Sequence, residues 1–348
     1  MRAVKYRNCD FLTVLNMKYL ILSPLLHTDT IDLTTHNKRS GGMKRTKRAA
    51  FAAHMKRCWP CYLFVLPAVL DCIIFRYVPM YGLQIAFKDY RVKLGIWGSP
   101  WAGMKYFQRF LSSPVFPQLM RNTLLISFSS LLFGFPVPIL VAFMINELKG
   151  TRYKRFVQTA TYAPHFISTV ALVGLITLLL ARDTGIVNQL RAALGMEKLN
   201  YMSMSSAYRA IYVGSGIWQE TGWGSIIYLA ALSWVDADIL EAAKIDGVSR
   251  LQKIWYLDLP TIMPTVVTLL IMKSGSLLSV GYEKVLLMQN DLIKDVSEVI
   301  STYTYRMGIL GGQYSYTTAI GLFNSVINGV ILLLVNGISR RVNETSLW

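Results

Sequence analysis

Charge is what this sequence has least of. Only 16% of its 348 residues are Asp, Glu, Lys or Arg, where a soluble domain carries about 25%. Hydrophobic residues make up 53%, and the mean hydropathy is +0.39. That balance excludes an ordinary soluble chain. Cysteine is scarce and confined to one end, at Cys9, Cys58, Cys61 and Cys72, so no disulfide framework holds the later loops. Cys58-Trp59-Pro60-Cys61 has the spacing of a redox pair, but no βαβ pattern surrounds it. It reads instead as the start of an interfacial helix, with Trp59 at headgroup level and Pro60 in the first turn. No G-x-x-x-x-G-K-[ST] occurs, so the chain lacks that cradle for nucleotide phosphates. Leu310-Gly311-Gly312-Gln313 reads as a glycine turn. The four histidines, at 27, 36, 54 and 165, show no metal-ligand spacing, and His165 reads as a packed helix-start residue. Asp183, Glu197, Asp291 and Asp295 are scattered without a pair that would serve acid–base chemistry. No catalytic residue, metal or cofactor is therefore expected. Internal repeats are absent, as are the paired Gly/Pro-broken segments of many secondary transporters.

Long apolar runs are what the chain has in abundance. A helix crosses a bilayer with about 20 apolar residues. Six regions reach that length, at 59–82, 120–145, 157–181, 209–234, 261–288 and 317–338. The expected fold class is an all-α polytopic membrane protein with six transmembrane helices. The net charge of +17 is placed for a membrane rather than for nucleic acid. Residues 1–57 hold 12 Lys/Arg against 3 Asp/Glu, and the pairs Lys44-Arg45, Lys47-Arg48 and Lys56-Arg57 precede the first run. Basic flanks mark the cytoplasmic side. Lys149, Arg152, Lys154 and Arg155, and then Arg340-Arg341, continue the N-in/C-in pattern. Loop 83–119 runs against it, with Lys88, Arg91, Lys93, Lys105 and Arg109 on the outer side. Residues 1–56 form a basic cytoplasmic segment, of which 1–42 read as an upstream extension before Met43. Residues 57–348 form the membrane domain. Its outer loops, 83–119, 182–208 and 289–316, are large enough to meet an extracytoplasmic partner.

One polar loop, 235–260, is unusually specific. Asp238 three residues before Glu241 predicts a capping box. Ala242 and Ala243 favour helix without bulk, and Gly247 suits a left-handed stop. An amphipathic stretch through Leu251, Ile254, Trp255 and Leu257 follows, and Leu259-Pro260 opens the next apolar run. A short helix with a small-residue face lets a second protein approach closely; the other reading is a helix lying on the membrane surface.

Within the runs, Asp71, Arg76, Glu220, Lys273 and Glu283 are ionisable, and intramembrane charge is costly unless paired or facing a cavity. Glu220 and Lys273 admit two readings, a salt bridge that fixes helix packing or a role in a solute path. Trp218, Gln219, Trp223 and Tyr228 combine aromatic faces with an amide, which suits the apolar CH faces and hydroxyl rim of a sugar; helix packing is the competing reading. Asn324 and Asn328 share one helix face. They face the same path or hold helices together by hydrogen bonds.

Glu241-Ala242-Ala243, Gly247 and then Leu259-Pro260 resemble the coupling motif of binding-protein-dependent ABC importer permeases. The likeness extends through Tyr77-Val78-Pro79-Met80-Tyr81, Arg121-Asn122-Thr123-Leu124, Tyr162-Ala163-Pro164-His165, Gly185-Ile186-Val187-Asn188, Ile217-Trp218-Gln219, Gln313-Tyr314-Ser315-Tyr316 and Gly321-Leu322-Phe323-Asn324. It covers residues 57–348, and the nearest group is the oligosaccharide and polysaccharide permeases of Gram-positive bacteria, within the maltose-type permease superfamily. The resemblance implies a MetI-like permease fold in the plasma membrane. It implies a non-enzymatic subunit that provides half of a sugar path, with ATP hydrolysed by a separate subunit. It assigns Glu241, Ala242, Ala243, Asp246 and Gly247 to a helix and turn that dock on that ATPase, and Leu259 and Pro260 to the connection with the fifth span. Val248 stands where the family often has Ala. The implied partners are a second permease, a cytoplasmic ATPase dimer, an extracytoplasmic sugar-binding lipoprotein and the lipid bilayer, with no nucleic acid. Competing readings are a permease for a non-sugar solute, a membrane enzyme acting on lipid-linked sugar, and a scaffold whose loop helix binds some other protein.

Overall fold

Proline and glycine decide where the apolar runs become helices and where they break. In the computed structural model the described residues are Trp59, 62–343 and Leu347. The basic segment 1–56, its extension 1–42 and the Cys58/Cys61 spacing lie outside the described residues. The described elements are all helical, with one isolated bridge between Lys88 and Trp101. The chain divides into two compact units at Gly82–Leu83. Helix α1, Tyr62–Phe87, begins in the first. The second holds α2 (Phe116–Asn146), α3 (Thr151–Phe166), α4 (Thr169–Leu180), α5 (Ser205–Leu232), α6 (Ala237–Ile245), α7 (Arg250–Ser274), α8 (Tyr282–Met288) and α9 (Tyr314–Asn343).

Two of these helices contain a π turn two residues ahead of a proline. In α1 the turn Ile73–Tyr77 precedes Pro79, and in α7 the turn Ile254–Asp258 precedes Pro260. A proline ring inside a helix presses on the carbonyl four residues back and offers no N–H to it. Widening the preceding turn relieves that contact, with the N–H of Val78 reaching Ile73 O and that of Leu259 reaching Ile254 O.

Four helices, α1, α2, α7 and α9, are long and apolar enough to cross a membrane, and α3 with α4 makes a fifth if the bent pair is one span. Helix α5 has 28 residues, about 42 Å at 1.5 Å per residue, but carries Arg209 and Glu220 and does not qualify on composition. The third apolar run is therefore not the straight span expected from its length. It bends by 98° between α3 and α4. Pro164 lies in the closing 3-10 turn of α3, Ile167 and Ser168 are extended, and the Ser168 hydroxyl caps α4 by accepting from Ala171 N at 3.3 Å. The fifth run is also redrawn: its helix starts at Arg250, inside the expected loop, and stops at Ser274. Residues 275–281 are not regular α-helix beyond turns, and 282–288 form the separate α8.

Buried apolar residues gather in three clusters of the second unit. Ala142, Phe143, Tyr228, Leu232 and Ile262 join one end of α2, α5 and α7. Ile126, Val173, Tyr208, Val280, Val285 and Met288 join the middle of α2 to α4, α5 and α8. Tyr106, Phe110, Leu119, Ile300, Tyr303, Tyr316 and Ile320 join the opposite end of α2 and α9 to the two long connections between helices. Those connections, read from sequence as loops, are folded. Phe110 meets Phe116, Phe323 and Tyr316 edge-on, and full burial of such a ring contributes about 2–3 kcal/mol.

Candidate functional site

The polar loop folds into two capped helices separated by a tight corner. The N-cap of α6 is Asp236, whose carboxylate accepts from Asp238 N at 3.0 Å. The expected cap at Asp238 is thus two residues late. Asp236 has the extended backbone a cap requires, and Asp238 sits inside the first turn, where its charge opposes the helix dipole. Glu241 consequently lies beyond the capping position. The C-terminal end agrees with expectation. Gly247 has φ +69°, its N–H reaches Lys244 O at 3.2 Å, and Val248 N–H reaches Ala243 O at 3.0 Å, the paired bonds of a Schellman stop. Two residues later Ser249 and Gln252 form a capping box that starts α7. Glu241, Ala242, Asp246 and Gly247 are exposed and Ala243 is half-buried. Ile245 is 87% exposed and Ile239 50%. A helix that leaves isoleucines open beside charged groups has the character of an interaction surface.

Three charged residues fix the base of this segment. Lys253 Nζ lies 2.5 Å from Glu147 Oε1 on the end of α2 and 3.5 Å from Asp258 Oδ2, whose side chain is only 2% exposed. Sequence gave no sign of this tie, because Glu147 and Lys253 are 106 residues apart. Leu259 packs against the apolar cluster around Tyr228 and Ile262, and exposed Pro260 follows the π turn.

Two adjacent cavities, of about 310 and 400 Å³, share Ser130, Tyr212 and Lys273 as walls. The first is also lined by Ser127, Ser276, Ser279 and Gly281, from α2 and the irregular backbone after α7. The second is lined by Glu220, Thr221 and Trp223 from α5. Glu220 does not pair with Lys273. Its carboxylate takes His165 Nδ1 at 3.1 Å, and the His165 ring stacks on Trp223 with centroids 4.5 Å apart. Gln219 Nε2 donates to Ile167 O at 2.7 Å. These contacts hold the α3–α4 break against α5. Gly222 permits the approach, since a Cβ there would lie 1.9 Å from Thr161 O.

The other expected path residues separate. Trp218 is 49% exposed but lines neither cavity. Tyr228 is buried in the apolar cluster with Phe143 and Ile262. Asn328 accepts from Leu278 N at 2.9 Å and donates to Ser279 Oγ at 3.0 Å, tying α9 to the strand of backbone that lines the first cavity. Asn324 Oδ1 is buried without a hydrogen-bond partner. Sequence reading missed Ser130, Tyr212 and Lys284. Lys284 donates to Tyr212 O at 2.9 Å and lies over its ring. Its position beside Glu283 in an apolar run was the available signal. The walls offer hydroxyls, the rings of Tyr212 and Trp223, one ammonium and one engaged carboxylate. Among the described residues no three His, Cys, Asp or Glu gather to hold a metal. The arrangement can bind and pass a polar solute.

Residues 134–344 match the family described as binding-protein-dependent transport system inner membrane component. The chain is 41% identical to protein LplB of Bacillus subtilis over 302 residues, covering 87% of this chain and 95% of the relative. It is 40% identical over 305 residues to the polygalacturonan/rhamnogalacturonan transport system permease protein YteP of the same organism, covering 88% and 95%. Its fold is similar to a chain of a bacterial ABC transporter that imports the acidic polysaccharide alginate, with TM-score 0.77, 40% identity and coverage of 84% and 99%. A second structure, of the alginate transporter with an alginate pentasaccharide-bound periplasmic protein, matches with TM-score 0.78, 39% identity and coverage of 87% and 100%.

Proposed function

This chain belongs to the binding-protein-dependent transport system inner membrane component family, and from that premise we propose that it forms half of the path by which an ATP-driven importer takes up oligosaccharide or polysaccharide fragments. It is a transport component and not an enzyme. One observation carries the reading. Helix α7, 25 residues long, begins at the exposed corner after α6 and carries Lys273 of the cavity wall in its last turn. Movement imposed on α6 is thereby delivered to the solute cavity through one continuous helix.

In this reading α6 and its corner, with Glu241, Ala242, Ala243, Asp246 and Gly247, dock on a cytoplasmic ATPase, and Leu259 and Pro260 pass the motion on. Loop 235–260 is then cytoplasmic, as is the basic segment 1–56. The spans are α1, α2, the bent α3–α4, α5, α7 and α9, six in all with both termini inside. The membrane is the plasma membrane of a Gram-positive bacterium. A second permease completes the path, two ATPase copies drive it, and a lipid-anchored binding protein delivers the sugar to the folded outer connections. Trp218, Gln219, Glu220, Trp223, Tyr228, Lys273, Asn324 and Asn328 remain the proposed path residues, acting directly at the cavities or by shaping their walls. The path alternates between inward and outward openings as ATP and loaded binding protein bias two states.

Co-purification from the native membrane identifies the companion subunits, and uptake by the reconstituted complex tests the cargo. Glu241→Lys and Gly247→Trp are expected to insert normally while losing ATPase association and uptake. Normal ATP-dependent uptake by both variants would remove the docking assignment.

A further inference from the structure

We propose that α2 carries movement between the ATPase-docking segment and the outer connection 289–313, with Glu147 and Asn122 as the positioning residues at its two ends; this rests on the importer reading above. Helix α2 is one continuous run of 31 residues, about 46 Å at 1.5 Å per residue. Phe135 keeps helical backbone angles ahead of Pro136, so the prolines do not part it. Glu147 closes its inner end and accepts from Lys253 Nζ. Lys253 lies just beyond the corner at Gly247, in the first turn of α7. The end of α2 is therefore fastened to the base of the docking segment.

The outer end is fastened more tightly still. Buried Asn122 donates through Nδ2 to Asp295 O at 2.8 Å and to Glu298 O at 3.0 Å. Gln118 Nε2 donates to Asp295 O at 3.0 Å, and Thr123 Oγ1 accepts from Ile300 N at 3.1 Å. All of these bonds end on main-chain atoms of the connection, so they hold its backbone and not a side chain free to rotate. Buried carbonyls require donors. The connection cannot lift from α2 without stripping two of them. Helix α5 also reaches this connection, through Ser205 Oγ and the Asp295 carboxylate at 3.2 Å, but that bond is exposed and open to exchange with water. Helix α7 stops at Ser274, and the irregular residues 275–281 intervene. The docking segment thus has two outlets, α7 to the cavity wall and α2 to the outer connection. Linkage makes the second outlet work both ways: a partner that shifts the connection biases ATP binding by the factor with which ATP shifts the connection.

The test uses the complete reconstituted transporter in a background lacking the four native cysteines. Leu292→Cys, at an exposed position of the clamped connection, is the reporter. Its alkylation by an impermeant maleimide is timed with and without a non-hydrolysable ATP analogue. The parent is expected to change rate about fivefold or more, the low end of ordinary coupling between sites. Asn122→Leu and Glu147→Ala are each expected to abolish most of that change while still binding the analogue. Glu147→Ala leaves Lys253 its Asp258 partner, so it cuts the tie without stranding the ammonium. The double variant is expected to be no worse than the worse single one, as for two links of one chain. Ser205→Ala is expected to keep the response. Should Asn122→Leu fail to assemble, Gln118→Leu, which removes one outer bond, is expected to lose part of the response. A response undiminished in the variants at either end, or lost equally in Ser205→Ala, overturns the inference. A silent reporter in a parent that binds the analogue also overturns it and leaves the importer reading standing. A complex that binds no ATP analogue overturns the importer reading and this inference with it.

Discussion

Gly222 and Gly247 are required for different physical reasons, and their substitutions separate accordingly. At Gly222 the constraint is space. The Cβ of an alanine would fall 1.9 Å from Thr161 O, so α3 and α5 must move apart. Overpacking of this kind costs about 1–3 kcal/mol. Gly222→Ala is expected to lower the thermal midpoint of the purified complex and to loosen the His165–Glu220 contact. At Gly247 the constraint is conformation, because φ is +69° with open space around the Cβ position. Gly247→Ala is expected to cost about 1–2 kcal/mol in the corner alone. It should lower the coupling of ATP hydrolysis to uptake more than it lowers the midpoint; an unchanged ratio of sugar moved to ATP consumed would refute that.

Among the elements, α7 depends most on a contact that is distant in sequence. Lys253 bridges Glu147 and the buried Asp258, so Lys253→Met leaves two carboxylates without their cation. Breaking a buried ion cluster in this way costs about 3–5 kcal/mol, whereas replacing every member with apolar groups is often near neutral. A thermal-shift series should therefore show the single variant well below wild type and a triple apolar variant at Glu147, Lys253 and Asp258 close to it. A triple variant no better than the single one would contradict this account. The end of α6 at Gly247 was legible in sequence because a left-handed stop needs glycine. Its start was misplaced because Asp236 and Asp238 are both good caps, and only backbone geometry chooses between them. The α3–α4 bend was hidden in continuous hydropathy, since Pro164 announces a break but not its angle. The Glu220 partner was misread because two opposite charges on neighbouring spans resemble a pair, while His165, the partner found, lies 55 residues away in sequence.

For the whole molecule, helical class was readable from hydropathy, and family and transport role from the resemblance carried by the Glu241–Pro260 motif and its companions, because both signals are local in sequence. The cavities were not, since their walls come from three helices and a broken end that only tertiary packing brings together. The proposed topology sets α6 and the folded outer connections on opposite sides of the bilayer. In a background lacking the four native cysteines, Ile245→Cys should react with an impermeant thiol reagent only from the cytoplasmic side. Leu194→Cys, on a connection that is 73% exposed at that residue, should react only from outside. Labelling of both from one side would overturn the topology. The π turn at Ile254–Asp258 also has a consequence for chain length. It holds one residue more than an α-helical segment of the same rise, so that residue serves as slack. Deleting Tyr256, whose side chain is exposed, in a Pro260→Ala background that removes the ring the wide turn accommodates, should let the turn close to ordinary helix with Lys253 still at Glu147 and Lys273 still at the cavity. Deleting one residue from the plain helix between Thr265 and Met272 instead rotates its two ends against each other by about 100°. Insertions and deletions along α7 should accordingly be accepted at one place and refused at the next.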